Sequence, residues 1–228
     1  MSVEITWLGH NCWSIKHGEH WLLTDPFLND SPTAPVKAAE VSPTHILISH
    51  GHGDHVGDTV EIAKRTGATV ISNYEICTWL AAQGVKNTVG GNLGGWSTHP
   101  WGSVQSTLAW HSSQLPDGSY GGNPGGFLIK IDGKKLYFAC DTALFSDMQL
   151  IGAAGLDLAV LPIGDLFTMG PDDALQAVKW LKPKQALPCH YNTWPPIAQN
   201  VDQWSARVAT ETTTNPVVLQ PGETLLLE

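Results

Sequence analysis

Residues 49–55 read Ser-His-Gly-His-Gly-Asp-His and so place three imidazoles and a carboxylate within six positions, at His50, His52, Asp54 and His55. They directly follow residues 45–49, an apolar run typical of a buried strand. The intervening glycines let the chain turn tightly, so that neighbouring side chains can converge. Neutral imidazole and carboxylate suit Zn²⁺ and similar ions, and without a cation these packed groups would leave ring nitrogens unpaired. The motif therefore predicts a metal site at a strand end, rather than a polar loop of unrelated histidines.

Further ligands must come from later in the chain if two ions are bound. One short loop cannot supply about four to six ligands to each of two ions. His111, Asp141 and His190 each follow a segment predicted to be a strand. Site residues collect where strands end and loops begin, so these three side chains are the candidates that complete the site.

The pattern of apolar residues predicts strands and helices in both halves of the chain. Helices are predicted over residues 56–65, 74–83, 171–181 and 199–209. Strands are predicted over residues 3–8, 12–16, 21–23, 45–49, 68–71, 104–110, 127–131, 135–139, 156–161, 184–187, 217–219 and 224–227. Two mixed sheets packed face to face, with helices outside, satisfy this order. The glycine-rich stretches 90–95 and 121–126 are interpreted as flexible rims of an active site.

Composition excludes several classes of protein. The formal net charge is −9, and the twelve Lys and Arg residues are scattered singly, which argues against a nucleic-acid partner. No apolar run approaches the ~20 residues that span a membrane, and the first residues do not resemble a signal peptide. The four cysteines lack metal or redox spacing and are interpreted as reduced, buried thiols, so we expect a cytoplasmic protein. Ten tryptophans leave a homo-oligomer open.

The full ligand set, in order, resembles the signature of the metallo-β-lactamase superfamily, which is His-x-His-x-Asp-His followed by a distant His, an Asp and a last His. The matching residues are His50, His52, Asp54, His55, His111, Asp141 and His190. Residues 7–10, 24–27, 122–127, 162–164, 168–171 and 188–193 also look like a branch of uncharacterised metal-dependent hydrolases. That branch is similar to ascorbate-6-phosphate lactonases and, more remotely, to N-acylethanolamine phospholipases D. The resemblance covers essentially the whole chain.

The resemblance implies that residues 1–228 form one domain, an αββα four-layer sandwich of two mixed β-sheets with helices on the outer faces. It also implies two divalent metal ions. Carried over by position, the first ion would be held by His50, His52 and His111. The second would be held by Asp54, His55 and His190, with Asp141 as the bridge. Zinc is the preferred metal, and manganese, nickel and iron also accept such ligands.

The function implied by the resemblance is hydrolysis of an ester, lactone, amide or phosphodiester bond by a hydroxide shared between two ions. Such a centre would carry a net charge of about +1, so a small anionic substrate is expected. The flavodiiron branch has Glu where this chain has His52, which favours hydrolysis over redox chemistry. Three alternatives stay open: a phosphodiesterase, a non-catalytic metal-bound ligand sensor and an iron redox enzyme.

Supporting roles are predicted for three more residues. Asp25 is expected to hydrogen-bond the motif loop or a ligand histidine, the alternative being an ordinary turn residue before a proline. His10 is assigned, with Asp54, to catalysis, either lining the pocket as a proton donor or simply capping a turn. Asn192 is expected beside the last ligand, within reach of a substrate oxygen. Cys140 and Cys189 are not expected to be ligands, because adjacent residues of a strand point to opposite faces.

Overall fold

The computed structural model describes residues 2–228, which form two seven-stranded sheets, with strands numbered in chain order. The first sheet contains β1 (Val3–Trp7), β2 (Trp13–His17), β3 (His20–Thr24), β4 (His45–Leu47), β5 (Thr69–Asn73), β6 (Thr88–Gly91) and β14 (Thr224–Leu227). The second contains β7 (Trp96–His99), β8 (Gly102–Leu108), β9 (Gly125–Ile131), β10 (Lys134–Phe138), β11 (Leu158–Pro162), β12 (Gln185–Cys189) and β13 (Asn215–Pro216). The strand orders are β14-β1-β2-β3-β4-β5-β6 and β13-β12-β11-β10-β9-β8-β7, and both sheets mix parallel and antiparallel pairs.

Residues 2–228 contain six helices, which are α1 (Gly53–Val56), α2 (Thr59–Thr66), α3 (Tyr74–Ala82), α4 (Met148–Gly152), α5 (Pro171–Leu181) and α6 (Val201–Glu211). Of these, α2, α3 and α5 pack on the sheets. Two 3₁₀ turns lie at Ala38–Glu40 and Pro195–Ile197. One core cluster joins Ile62 of α2 and Leu80 of α3 to Ile46 and Val70 of the first sheet. Since α5 packs likewise on the second sheet, the predicted αββα sandwich is confirmed.

The core between the sheets follows from alternation along the strands. In β1, Val3, Ile5 and Trp7 are buried, whereas Glu4 between them is exposed. Successive side chains of a strand point to opposite faces, so this pattern turns one face of β1 inward. Trp13 of the next strand stacks on Trp7, with ring centroids 5.9 Å apart. Trp13 also meets Phe138 of β10 edge-on at 6.2 Å and thereby packs the two sheets together.

Several local predictions were wrong. The helix predicted at 56–65 begins only at Thr59, because the chain turns at Gly57 with φ 38°, where a Cβ would lie 2.3 Å from the Pro26 carbonyl oxygen. The strand predicted at 217–219 is replaced by β13, at Asn215–Pro216. The glycine-rich stretches are partly strand rather than flexible rim. A Cβ at Gly126 of β9 would lie 2.5 Å from the Phe138 carbonyl oxygen, so the glycine allows two strands to approach closely.

The cysteines of the described chain are unpaired. Cys12, Cys77, Cys140 and Cys189 are all buried. Burial raises the pKa of the Cys77 thiol to about 11, so this thiol is protonated and unreactive near neutral pH. Within residues 2–228, none of the helices has the length and apolar character needed to cross a membrane.

A histidine pair lies away from the candidate ligands, where β4 begins. The ring of His45 lies 5.5 Å from that of His99 and 5.7 Å from that of Trp101. Burial, together with the neighbouring His99 and His20, lowers the pKa of His45 from 6.5 to about 4. The folded protein therefore resists protonation of His45 over a range in which the unfolded chain accepts the proton.

We expect this histidine to make the fold less stable in mild acid. Between pH 6.5 and 4 the unfolded chain binds a proton at His45 that the folded chain does not, so the free energy of unfolding falls as the pH is lowered. The effect is on the order of 1 kcal/mol, after allowance for solvent screening of a half-buried ring. Denaturant titrations across this range should show that the free energy of unfolding depends less steeply on pH in His45→Gln than in the parent. An equal slope in both proteins would contradict the assignment.

Candidate metal centre

The candidate ligands converge where strands of both sheets end. His50 and His52 follow β4, and the turn of helix α1 carries Asp54 and His55 back towards them. The chain then delivers His111 after β8, Asp141 after β10 and His190 after β12. The seven side chains predicted from the sequence thus meet at one edge of the sandwich.

The potential ligand atoms form three groups. Within each group, the atoms lie within 4.8 Å of one another. The first contains His50, His52 and His111, the set assigned to one ion by the resemblance. The second contains Asp54, His55 and His190, the set assigned to the other ion, and also includes His10. The third joins Asp141 to His50 and His55.

Asp141 lies between the two sets of ligands. Its Oδ2 atom is 3.1 Å from Nε2 of His190 and 3.3 Å from Nε2 of His55. The same oxygen is 3.5 Å from Nε2 of His111, which belongs to the other set. A single carboxylate therefore contacts imidazoles of both sets.

Buried polar atoms without partners show that these residues fit a cation. Within the described chain, Nε2 of His55, both ring nitrogens of His190 and Oδ1 of Asp141 are buried and accept or donate no hydrogen bond. Buried polar groups are nearly always satisfied, because an unpaired one costs free energy. Imidazole nitrogens and a carboxylate oxygen that face each other unpaired are what a bound divalent ion would satisfy.

Burial keeps most of the histidines in the form that binds metals. Burial is the main cause that lowers the pKa of His50, His52 and His111, and in His50 and His52 the nearby His55 lowers it further. Each ring is therefore neutral near pH 7. A neutral ring offers a nitrogen lone pair to an ion at no cost of deprotonation.

His55 differs because two carboxylates flank it. Although burial alone would lower its pKa, Asp141 and Asp25 outweigh burial and raise it well above the usual value. Conversely, His190 and His55 hold the pKa of Asp141 well below its usual range, against the effect of burial. The two carboxylates thus favour positive charge between them, which is where a bound cation would lie.

Comparison with known proteins agrees with this geometry. The family model described as "Beta-lactamase superfamily domain" matches residues 4–190. This chain belongs to the metallo-β-lactamase superfamily. It is 49% identical to the "UPF0173 metal-dependent hydrolase STH3160" of Symbiobacterium thermophilum, covering 99% of this chain and 100% of the relative. It is 47% identical to the "UPF0173 metal-dependent hydrolase TTHA1283" of Thermus thermophilus, with the same coverage.

A solved structure extends the likeness to three dimensions. Igni18, described as a novel metallo hydrolase from the archaeon Ignicoccus hospitalis, is 34% identical, with a TM-score of 0.90. The match covers 100% of this chain and 99% of Igni18. Together with the His and Asp cluster, these relatives identify the chain as a metal-dependent hydrolase of the metallo-β-lactamase superfamily.

Asp25 joins the motif loop of this superfamily member to one of its histidines. Its Oδ1 accepts the backbone N–H of Ser49 at 2.8 Å, and its Oδ2 accepts the Ser49 hydroxyl at 2.6 Å. The same Oδ2 lies 2.9 Å from Nδ1 of His55 and 3.0 Å from the amide nitrogen of Asn11. Asp25 therefore holds the ring of His55 so that Nε2 faces the ligand cluster, and it is more than a turn residue.

Ser49 sets the tautomer of the first ligand and was not predicted from the sequence. Because its hydroxyl donates to Asp25, its oxygen can accept a hydrogen bond from Nδ1–H of His50, 2.9 Å away. Nε2 of His50 is then left with its lone pair. A serine beside a histidine is too common for the sequence alone to reveal this role.

His10 lies behind the ligands and does not line the cavity, contrary to one of its two sequence-based interpretations. Its ring is fully buried, with Nε2 3.2 Å from Oδ2 of Asp54 and Nδ1 2.8 Å from the hydroxyl of Thr193. Burial, followed by His190, lowers the pKa of His10 to about 4. The other interpretation, a simple turn cap, does not account for its contact with Asp54.

The side chain of Asn192 is not directed into the cavity, where it was predicted to reach a substrate. Its side chain is exposed, and its Oδ1 accepts the backbone N–H of Gln199 at 2.8 Å. This contact closes the loop after β12, and Asn192 is not among the described residues that line the cavity. The prediction that it reaches a substrate oxygen is therefore not supported.

Left-handed backbone conformations cluster around the centre. Among non-glycine residues, His10, Asp25, Cys140, His190 and Asn192 all have positive φ, between 36° and 57°. Such conformations cost of order 1 kcal/mol or more each and collect at functional sites, where they aim side chains. Strand alternation was expected to turn Cys140 away from Asp141, but β10 ends at Phe138 and Cys140 lies outside the strand. A left-handed residue, not strand alternation, sets the direction in which Asp141 points.

A cavity of about 530 Å³ opens beside the ligands. Five of the seven predicted ligands line it: His52, Asp54, His111, Asp141 and His190. The other lining residues are Ser112, Phe167, Trp194, Pro196 and Ile197. The space suits a small molecule, and the ligands form its floor.

Proposed function

We propose that this chain is a dinuclear hydrolase that cleaves an ester, lactone, amide or phosphodiester bond, with zinc as the preferred metal. The observation that supports this most directly is the position of Asp141, whose Oδ2 lies within 3.5 Å of imidazoles from both ligand sets. In the proposal His50, His52 and His111 would hold one ion, and Asp54, His55 and His190 would hold the other. Asp141, which contacts imidazoles of both sets, would contribute to both.

Two divalent ions supply, when bound, a water activated near neutral pH and a Lewis acid for the electrophilic oxygen of the substrate. The protein's own part is to fix the ligands before substrate arrives. Asp25 and Ser49 orient His55 and His50, so little reorganisation is needed during reaction. The cavity floor then places the scissile bond against the ligands rather than against bulk solvent.

His10 is proposed as a positioning residue for Asp54. The Thr193 hydroxyl and the Asp54 carboxylate lie at the two ring nitrogens of His10, so one tautomer serves both, with Nε2–H donating to Asp54. Its burial beneath the ligands leaves no direct path to a substrate, so its proposed effect acts through the ligand.

We expect His10→Asn to weaken zinc binding by about 10- to 100-fold, as loss of a partner that orients a ligand typically does. Asparagine tolerates the left-handed backbone of position 10 but is too short to reach Asp54. Chelator competition measures the affinity of each ion. Thr193→Val should lower zinc affinity by a smaller factor than His10→Asn does. Thr193→Ser keeps the hydroxyl and should bind zinc as tightly as the parent. Unchanged affinity in His10→Asn would contradict the role.

A substrate screen tests the reaction class. Zinc- or manganese-loaded protein is assayed against matched chromogenic esters, lactones and phosphodiesters, before and after metal removal with a chelator. The proposal predicts turnover that disappears with the metal and returns when it is restored. Preference for phosphodiesters would favour the phosphodiesterase alternative. No turnover in the entire panel would favour a non-catalytic ligand sensor. Iron with a visible absorption band in the purified protein would favour the redox enzyme.

A further inference from the structure

The wall of the cavity that faces the ligands is apolar. Phe167, Trp194, Pro196 and Ile197 form it, and Ser112 is the one lining residue of the described chain that is polar without being a candidate ligand. The Ser112 hydroxyl is already engaged, 3.2 Å from Nε2 of His52. A bound molecule therefore contacts polar groups at the ligand cluster and apolar side chains on the opposite wall.

The aromatic part of this wall is held in place. The ring of Trp194 meets that of His10 edge-on at 4.9 Å and that of Phe27 at 5.9 Å. The loop behind it is closed by the N–H of Ile197, which donates to the Trp194 carbonyl, and by the Gln199 side chain, which donates to the Gly164 carbonyl. Trp194 is thus a preformed surface and not a side chain free to swing away.

The loop between β11 and α5 carries Phe167, one of the apolar residues of this wall. Asp165 and Leu166 are consecutive left-handed residues, with φ of 62° and 49°. Their conformation is fixed by Asp165, whose Oδ1 accepts the N–H of Leu166. The result is that Leu166 and Phe167 are 67% and 54% exposed. A strained loop that presents large apolar side chains to solvent beside a site is typical of a binding surface.

Positive charge is missing from the same surface. The chain has twelve Lys and Arg residues, and none of them is among the residues of 2–228 that line the cavity. A phosphate or carboxylate remote from the scissile bond would lose its hydration there without a cationic side chain to replace it. The charge of the centre acts only on groups at the cavity floor.

We infer that the substrate carries an uncharged apolar group next to the scissile bond, of the size of a phenyl ring or a short alkyl chain. This group packs against Phe167 and Trp194 while the scissile carbonyl lies at the ligand cluster. The inference rests on the proposed hydrolase function. It replaces the small anionic substrate expected from the charge of the centre alone.

A series of 4-nitrophenyl esters that share one leaving group tests the inference. In each reaction the water oxygen bonds to the acyl carbon, the ester C–O bond breaks, and a carboxylic acid and 4-nitrophenol are released. We expect kcat/KM to rise about 4-fold per methylene from acetyl to pentanoyl, which corresponds to ~0.8 kcal/mol per buried CH₂. The 4-methylpentanoyl ester should exceed its carboxylate-bearing isostere, the succinyl ester, by more than about 10-fold.

Variants locate the effect on the wall. Phe167→Ala and Trp194→Ala should reduce the increase in kcat/KM to below about 2-fold per methylene. Phe167→Leu should keep most of the increase. Leu150→Ala is the matched control, since Leu150 is also apolar and exposed, at 73%, but lies in α4 and does not line the cavity. An undiminished gain in both Phe167→Ala and Trp194→Ala would overturn the inference.

A binding measurement separates failure of this inference from failure of the proposed function. Acetohydroxamate and hexanohydroxamate are titrated into zinc-loaded protein by calorimetry, without any turnover. Tighter binding of the hexanoyl compound by at least about 10-fold supports the apolar wall, even if no ester in the series is hydrolysed. Equal binding of the two, or faster turnover of the succinyl ester, overturns the inference while leaving a hydrolase in place.

Discussion

Asp141→Ala is expected to leave the protein able to hold at most one metal ion and to lower kcat/KM by roughly 10³-fold, the scale of losing a main electrostatic element of a site. The physical reason is that, among residues 2–228, only the carboxylate of Asp141 lies within 3.5 Å of imidazoles from both sets. Without it, five histidines and Asp54 would have to hold two cations, with Asp54 as the only negative ligand among the candidates. Elemental analysis and the ester assay measure the two effects.

A carboxylate outside the site provides the matched control. Asp157 is mostly buried and pairs with Lys184 on the second sheet, with Nζ and Oδ1 2.7 Å apart. Asp157→Ala should keep two ions and full activity. Asp141→Asn keeps the shape but loses the charge, and it should fall between the parent and Asp141→Ala. Two ions and parental activity in a folded Asp141→Ala would show that Asp141 is not the bridge.

Asp25→Ala is expected to cost about 3–5 kcal/mol of folding stability in the metal-free protein, because it breaks a buried charged network. Four donors lose their acceptor: the N–H and hydroxyl of Ser49, the amide of Asn11 and Nδ1 of His55. The ring of His55 also loses its orientation, so zinc affinity should fall about 10- to 100-fold. Denaturant unfolding and chelator competition report on the two effects separately.

Asp25→Asn separates shape from charge. Asparagine tolerates the left-handed backbone at this position, where φ is 36°, and keeps one oxygen acceptor. Its NH₂ group, however, faces donors, so we expect about half of the stability loss. An Asp25→Ala protein that unfolds within about 0.5 kcal/mol of the parent would mean that these hydrogen bonds contribute little, and the account of how the motif loop is held would fail.

The sequence predicted the parts of the molecule that have a short-range signal. The compact His and Asp motif indicated a metal site because few other structures explain so many ligands in one loop. Alternation of apolar residues, as in Val3, Ile5 and Trp7, indicated strands with one inward face, and the layered architecture follows from such faces. Their positions after predicted strands made His111, Asp141 and His190 candidates, the resemblance assigned them as ligands, and the structure places them at the loop that begins with His50.

What the sequence did not reveal depends on contacts between distant residues. His10 and Asp54 are 44 positions apart, and no local pattern tells a buried histidine behind a ligand from one that lines a pocket. Asn192 was misplaced because a left-handed residue turns its side chain towards Gln199. The apolar wall depends on such contacts too: the sequence left residues 194–196 open as a pocket wall or a rigid turn, and only the packed sheets bring Trp194 next to Phe167 of a separate loop.

The most direct test of the account is the metal content of the purified, untagged chain after saturation with zinc or manganese and removal of excess ion. If Asp141 joins two complete ligand sets, elemental analysis should give two divalent ions per chain, and both should be lost in stages to a chelator. One ion or none per folded chain would contradict the dinuclear centre on which the proposed reaction depends.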